Sequence, residues 1–515
     1  MDKNSVKTLC DLIAKSAECY GDKTYLKEKR GNDIIEKTFN QLYHDCMCMN
    51  SFISSRAEGK TVHAAVLGAT CYTYLVSYFG TVFGGNTIVP LDAQLSPADM
   101  CELINRADVE IFFYHPRLEA ALPQIKEMCP KIHTFVSLGE SESYFSVEKI
   151  TEEYAPAAPK EVSPETMAAI LYTSGTTGKS KGVMLSHANL IDNTMCCDNE
   201  STPEDVTLTV LPIHHVYCFT CDILLSLRYG STICVNDSIL RIAQNLKLFQ
   251  PTIMLLVPMI AETIYKQIKA AAAAKPEIPM AAIAKAVFGG RLKGIYSGGA
   301  YLSPDLANAY RSMGIPMSQG YGMTECSPRI SCSLFTEENV GDVGKIVNGC
   351  EVKIVDGEIW AKSPSVMMGY YKDPVSTAET LTEDGWLRTG DLGYVDEQNR
   401  VFITGRKKNL IILSNGENVS PEELENKFMD IDMVAEVLVY SEDSVITAEI
   451  FPNPEVCKDM DKAEIARLLN EHIKKINSSQ PSAKTIRRLR VRDVEFDKTT
   501  SKKIKRQQTS KGELV

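Results

Sequence analysis

A chain of 515 residues is longer than one hydrophobic core supports, so two or more domains are expected. Apolar residues make up 44% and charged residues 23%, the balance of an ordinary globular protein. The formal charge of -11 argues against bulk attraction to nucleic acid or to anionic lipid. At the N-terminus, "MDKNSVKTLCDLIAKSAECYGDK" has no basic segment followed by an apolar one, so no secretion signal is expected. Residues 62–68, "VHAAVLG", read as a buried strand, 74–85 as a helix ending at glycine, and 86–92, "NTIVPLD", as the next strand. That alternation argues for α/β layers. Residues 152–165 are rich in Pro, Ala and charge and read as a connector. The rhythm resumes between 205 and 300, where "DVTLTVLP", "TICV", "TIMLLVP" and "LKGIYSGGA" read as strands with helices between them. "KAAAAAKPEIPM" (269–280) reads as a helix end and a surface loop. From 340 to 404 the pattern changes to β-hairpins, and a small α/β unit follows 405–409.

The sixteen cysteines are scattered. Only Cys218 and Cys221 form a CxxC, with no second pair at zinc-site spacing, so buried reduced thiols are expected. The longer apolar stretches, such as 252–260, are too short to span a bilayer. Together these features predict a cytoplasmic protein with no nucleic-acid partner and no integral membrane segment. The last segment is locally basic, with eleven Lys/Arg against four Asp/Glu from Pro481 to Val515. It reads either as a solvated tail or as a segment that meets phosphates.

One loop carries the strongest chemical signal. "YTSGTTGKSKGV" (172–183) follows the apolar run Met167–Leu171 and holds three glycines and two lysines. A nucleotide P-loop needs a glycine where this chain has Thr173, so that match fails. The capacity to cradle phosphate survives. Gly175 and Gly178 permit close backbone approach, Ser174, Thr176 and Thr177 add hydroxyl donors, and Lys179 adds charge.

The loop resembles the signature loop of the adenylate-forming superfamily, which contains acyl-CoA synthetases, adenylation domains and luciferases. "LPIHHVY" (211–217), "YSGGA" (296–300), "QGYGMTE" (319–325), "RTGD" (388–391), "GRKKNLIILSNGENVSPEELE" (405–425) and "KTTSKKIKR" (498–506) follow in the family's order. The resemblance implies an α/β protein. Its large N-terminal domain (1–404) would comprise two layered α/β subdomains plus a β-barrel. A hinge at 405–409 would centre on Lys408, and a small mobile domain (410–515) would follow.

It also implies roles. Thr173, Ser174, Gly175, Thr176, Thr177, Gly178 and Lys179 would hold ATP phosphates. Thr324 would supply a phosphate-binding hydroxyl and Glu325 the Mg²⁺ carboxylate. Tyr321, followed by Gly322, would stack on adenine against the turn Gly298, Gly299 and Ala300. Asp391 would accept both ribose hydroxyls, with Arg406 as a second contact. Lys503 would bridge the substrate carboxylate and the α-phosphate. His215 would gate the acyl pocket, with His214 as a packed or exposed neighbour. The chain departs from the family at Lys502, where glycine is usual, and at Asp497, where proline is.

The implied reaction activates a carboxylate as acyl-AMP with release of pyrophosphate, then passes the acyl group to the thiol of coenzyme A. Domains that activate amino acids usually carry aspartate directly after the position of His215. Here Val216 stands there and Asp222 is displaced by six residues, so an apolar acid, a medium- or long-chain fatty acid, is favoured. An enzyme loading a carboxylic or amino acid onto an acyl carrier protein shares the same thiol chemistry and stays open. A nucleotide-binding regulator and a P-loop ATPase are the competing classes. Acid-dependent release of pyrophosphate separates all of these from both.

Overall fold

Two sheets built largely of parallel strands, drawn from residues up to Tyr370, organise the larger part of the chain, and their central strands follow from apolar runs buried on both faces. In this computed structural model the described residues are 1, 5–173, 180–196, 200–412, 418–429, 431–443, 445–481, 484–498, 504–506, 508 and 510–515.

The nine-stranded sheet runs in the order Lys345–Ile346, Arg329–Cys332, Met317–Gly322, Gly294–Ser297, Ile253–Leu256, Val206–Thr209, Thr232–Val235, Thr24–Arg30, Asp33–Thr38. Its six central strands are parallel, and antiparallel strands close both edges. The eight-stranded sheet runs Gly369–Tyr370, Lys181–Ser186, Met167–Thr173, Thr87–Leu91, His63–Leu67, Val109–Tyr114, Thr134–Ser137, Phe145–Ser146. Thr87–Leu91 is buried at every position, as its unbroken apolar run requires. Helix Tyr72–Phe83 is buried all round and ends at Gly84, matching the sequence expectation. Its Tyr78 ring stacks on Phe219 at 4.2 Å between centroids, a contact worth about 1 kcal/mol beyond area burial.

By contact the chain divides into two compact units. One comprises Met1–Val352, Ala361–Arg388 and Gln398–Arg400, and the other Lys353–Trp360, Thr389–Glu397 and Val401–Val515. The β-barrel implied by the resemblance takes the form of a four-stranded sheet, ordered Glu351–Val355, Glu358–Lys362, Leu387–Val395, Val401–Arg406. Most of it groups with the C-terminal unit rather than with residues 1–404. The reason is local: Asp391–Val395 pairs with Val401–Arg406, which leads directly into the C-terminal segment.

Within the C-terminal unit, strands Val434–Glu442, Val445–Pro452, Arg488–Val491 and Glu513–Leu514 form a second four-stranded sheet. Helix Lys462–Ser478 buries Ile465, Leu469, Ile473 and Ile476 in the same core as Val439, Ile450 and Leu489. Spacings of four, four and three keep these side chains on one helical face. Each fully buried aliphatic side chain contributes roughly 1.5–3 kcal/mol.

Much of the described basic C-terminal segment is paired internally. Arg488 and Arg490 pair with Glu442, Arg506 with Glu422 and Glu425, and Lys498 with Glu436. Arg492 and Glu449 form a pair with side chains only 3% and 1% exposed, at 2.8 Å. Among the described residues no helix is long and apolar enough to cross a membrane.

Candidate active site

The glycine-rich loop connects two antiparallel strands. Thr173, the last residue of Met167–Thr173, pairs with Lys181, the first of Lys181–Ser186. A P-loop leads from a strand into a helix, so the topology agrees with the failed glycine match. Ser174, Gly175, Thr176, Thr177, Gly178 and Lys179 lie outside the described residues.

The far strand of this hairpin reaches the next motif. Lys181 places its ammonium 4.9 Å from the centre of the Tyr370 ring. Tyr370 lies on strand Gly369–Tyr370, which pairs with Lys181–Ser186. Its hydroxyl donates to Glu325 Oε1 at 2.7 Å, and both side chains are buried. The Tyr370 hydroxyl is held strongly against ionisation, first by burial and then by the charge of Glu325. It therefore acts as a donor that fixes the carboxylate.

Glu325 and Thr324 sit on the short 3-10 turn Thr324–Cys326, directly after strand Met317–Gly322, which carries Tyr321 and Gly322. Glycine is required at 322, because a Cβ there would lie 1.8 Å from the Pro328 carbonyl oxygen. Asn193 holds this turn from below. Its Nδ2 donates to the carbonyls of Cys326 and Arg329 at 3.0 Å each, and its Oδ1 accepts from the Arg329 N–H. The Met367 N–H donates to the Glu325 carbonyl at 2.9 Å, which brings the segment carrying Tyr370 to the same turn.

The turn of Gly298, Gly299 and Ala300 occupies the matching position on the neighbouring parallel strand. Gly294–Ser297 pairs with Met317–Gly322, Ser297 opposite Gln319, so Gly298, Gly299 and Ala300 emerge beside Tyr321 at the strands' carboxyl ends. That is where ligands bind in open α/β sheets. Tyr217 comes to this turn from the short helix Val216–Cys218. Its hydroxyl donates to the Tyr296 carbonyl at 3.3 Å, and a Cβ on Gly298 would lie 2.9 Å from its ring. Nearby Thr220 donates to the Ser327 carbonyl at 2.9 Å, tying the acyl-side helices to the Glu325 turn.

His215 is the N-cap of Val216–Cys218 and is exposed. His214 packs against it, ring centroids 4.2 Å apart, and its Nε2 lies 3.9 Å from Asp92 Oδ2. Burial, with the neighbouring His215 charge, pushes His214 down to about 3, so it is neutral at physiological pH. Asp222 is buried, and burial pushes it up to about 6 against the hydroxyls of Thr209 and Thr207. It belongs to the protein interior.

In the C-terminal unit, Asp391 and Arg406 face each other across paired strands, and Arg406 Nε meets Asp391 Oδ1 at 2.9 Å. Asp391 is buried while Arg406 is exposed. Lys408 sits on the 3-10 turn Lys407–Asn409 and is lowered to about 8, first by burial and then by the Arg406 charge. Lys498 and Ile504 form an antiparallel bridge, and the Lys505 N–H donates to the Asp497 carbonyl at 2.8 Å. Lys502 and Lys503 lie between these anchors, outside the described residues.

Residues 13–371 match the model of the AMP-binding enzyme family, and residues 408–512 match that of the AMP-binding enzyme C-terminal domain. The chain belongs to the AMP-binding enzyme family. This AMP-binding enzyme is 29% identical to the Arabidopsis thaliana peroxisomal long chain acyl-CoA synthetase 7, over 97% of this chain and 82% of the relative. It is 28% identical to 4-coumarate–CoA ligase 1 of the same plant, over 80% and 76%. Among solved structures, an anthranilate CoA ligase in complex with anthranoyl-AMP superposes with a TM-score of 0.83 at 19% identity, covering 98% of each chain. The adenylation domain of a carboxylate reductase from Mycobacterium chelonae gives 0.82 at 20% identity, over 96% and 88%. These likenesses establish the shared fold.

Tyr370, Asn193 and Asp92 do not emerge from motif reading. Tyr370 acts through one hydrogen bond to a distant turn, and Asn193 through three to backbone groups there. Their only sequence signals are a tyrosine in "MMGYY" and a polar residue in an otherwise well-patterned helix.

Proposed function

We propose that this AMP-binding enzyme is an ATP-dependent acid–thiol ligase. A carboxylate oxygen attacks the α-phosphorus of ATP, pyrophosphate leaves with the broken P–O bond, and acyl-AMP forms. The thiolate of coenzyme A then attacks the acyl carbon and AMP departs. The observation that carries this reading is the chain Lys181–Tyr370–Glu325. It joins the strand leaving the glycine-rich loop to the turn bearing Thr324 and Glu325. A link from the strand after that loop to this carboxylate supports a reaction between several anions, which must be gathered in one place.

Glu325 and Thr324 offer hard oxygen donors, and no cluster of three or more His, Cys, Asp or Glu is present among the described residues. Such a sparse oxygen set fits Mg²⁺, which keeps its waters and takes phosphate oxygens. Mg²⁺ would screen the phosphate charge. Tyr370 would fix the orientation of Glu325, Tyr321 would stack on adenine beside Gly298–Ala300, Asp391 would hold the ribose, and Lys503 would steady the developing charge.

The acid in this proposal is apolar, a medium- or long-chain fatty acid. Val216 follows His215, Asp222 is held in the interior, and relatives are named long-chain acyl-CoA synthetases. The fifteen cysteines described are all free, which supports a reducing, cytoplasmic setting. The likeness to a carboxylate reductase adenylation domain favours one second reading, loading of an acyl carrier protein.

A panel of fatty, aryl and amino acids, assayed for pyrophosphate release with and without coenzyme A, tests both readings. We expect release with fatty acids, and turnover that rises sharply with coenzyme A. Release only with amino acids, or no response to coenzyme A, would favour carrier loading. Release without any acid would refute the ligase. The hinge stays at Lys408 in this proposal. Lys408→Pro is expected to keep pyrophosphate release and lose most thioester formation. Equal loss of both in a folded variant would remove the hinge from this residue.

A further inference from the structure

Two consecutive apolar residues stand out from the surface of the N-terminal unit. Ile239 is 69% exposed and Leu240 is 94% exposed, both on the short 3-10 turn Ile239–Arg241. The turn is held from behind. Asn245 Nδ2 donates to Asn236 and Asp237 at 2.7 and 2.8 Å, and Arg241 pairs with Asp237 at 2.7 Å. The apolar side chains are therefore presented by a fixed turn.

The turn opens helix Ile242–Phe249, whose Leu246 and Phe249 enter the core while Gln244, Lys247 and Leu248 face solvent. Lys247 shares a shallow groove of about 440 Å³ with Lys285 of helix Met280–Val287. Charge on this stretch is opposite in sign to that of the whole. Residues 237–293 hold eight Lys/Arg and three Asp/Glu, in a chain whose net charge is -11. Of the acids, Asp237 is matched by Arg241, Glu262 is half-buried and Glu277 is exposed, while Lys293 is matched by Asp205 from outside the stretch. Lys247 and Lys285 have no ion pair among the described residues and are exposed.

We propose that this face, the turn Ile239–Arg241 with the helices Ile242–Phe249 and Met280–Val287, docks on an anionic lipid bilayer. Lysines near such a surface are attracted to its negative potential, and projecting apolar side chains enter the headgroup boundary. A second copy of the chain is disfavoured, because two faces of the same positive sign repel. A protein partner is less well suited than a bilayer, because a leucine exposed to 94% projects outward and lines no cleft. The proposal does not rest on the identity of the acid. It coheres with an apolar substrate, which partitions into lipid.

The test is co-sedimentation of the full chain with vesicles, either phosphatidylcholine alone or phosphatidylcholine mixed with phosphatidylglycerol. The face predicts binding to the mixed vesicles only, weakening as salt rises. Each lysine removed should lower partitioning about fivefold, so Lys247→Gln/Lys285→Gln should lose roughly twenty-five-fold. Ile239→Ser/Leu240→Ser should lose about tenfold or more and keep the salt dependence of what remains. Melting temperature and lipid-free pyrophosphate release should match the parent in all variants. The melting temperature reports folding even if the ligase reading fails. Equal binding to both vesicles, no binding at low salt, or unchanged binding by either double variant would overturn the proposal. So would capture of an acidic carrier protein by the same residues without vesicle binding.

Discussion

The turn that bears Glu325 and the basic C-terminal segment hold their charged residues by different means. In the first, Thr324 and Glu325 follow the end of a central parallel strand, and Glu325 is steadied by neutral groups, the Tyr370 hydroxyl and a backbone N–H. In the second, Arg488, Arg490, Arg492 and Arg506 each meet a glutamate on the facing elements. Among the described residues Glu325 has no ion pair, whereas the arginines of the C-terminal segment meet glutamates. The sign of a segment thus says little about its partners until its counter-charges are located.

The largest expected effect lies in the C-terminal network. Arg492→Met leaves the buried Glu449 with the Gly512 N–H and the Tyr440 hydroxyl as its donors among the described residues. Breaking such a pair costs about 3–5 kcal/mol. Chemical denaturation of the variant should show that loss, and a change under 1 kcal/mol, the range of a surface pair, would mean that the pair is not structural.

Next comes the one basic residue of this segment to which the chemistry is assigned. Lys503→Ala should lower acyl-adenylate formation about a hundredfold or more while ATP binding persists. Lys502→Ala should be mild, and the reverse order of effects would shift the register by one.

Asp222 sharpens the contrast from the N-terminal side, as a buried carboxylate with no ion pair among the described residues. Its folded pKa is raised from 3.8 to about 6. The unfolded chain therefore loses this proton first as pH rises. Stability falls between about pH 4 and pH 6, and the deficit persists above. Asp222→Asn should raise stability by on the order of 2–3 kcal/mol at pH 7.5, with the gain vanishing near pH 4. Thermal melts at the two pH values check this, and a pH-independent change would contradict it.

The smallest effect is expected at Tyr370. Tyr370→Phe removes one donor from Glu325 and should reduce acid-dependent pyrophosphate release roughly tenfold, with a higher Mg²⁺ requirement. A lower rate at an unchanged Mg²⁺ requirement would assign Tyr370 to packing alone.

Much of this was legible in the sequence because it rests on local signals. Strands 63–67 and 87–91 and helix 72–83 announce themselves by apolar runs and terminal glycines. Tyr321, Thr324 and Glu325 are contiguous in one motif. What escaped depends on residues far apart in the chain. Tyr370 reaches a glutamate 45 residues away, and Asn193 reaches a turn more than 130 residues away. The internal pairing of much of the basic segment was not legible, because its glutamates lie on Pro421–Glu425, Val434–Glu442 and Val445–Pro452. The sequence shows the hairpins of the small sheet, but not that this sheet groups with the C-terminal unit.

The central claim is that a carboxylate oxygen attacks the α-phosphorus of ATP. It is tested most directly with a fatty acid labelled with ¹⁸O in its carboxyl group, followed through one turnover in the presence of coenzyme A. The account predicts that one labelled oxygen from the acid appears in AMP, with unlabelled pyrophosphate. Label in orthophosphate alongside ADP, or unlabelled AMP, would contradict it.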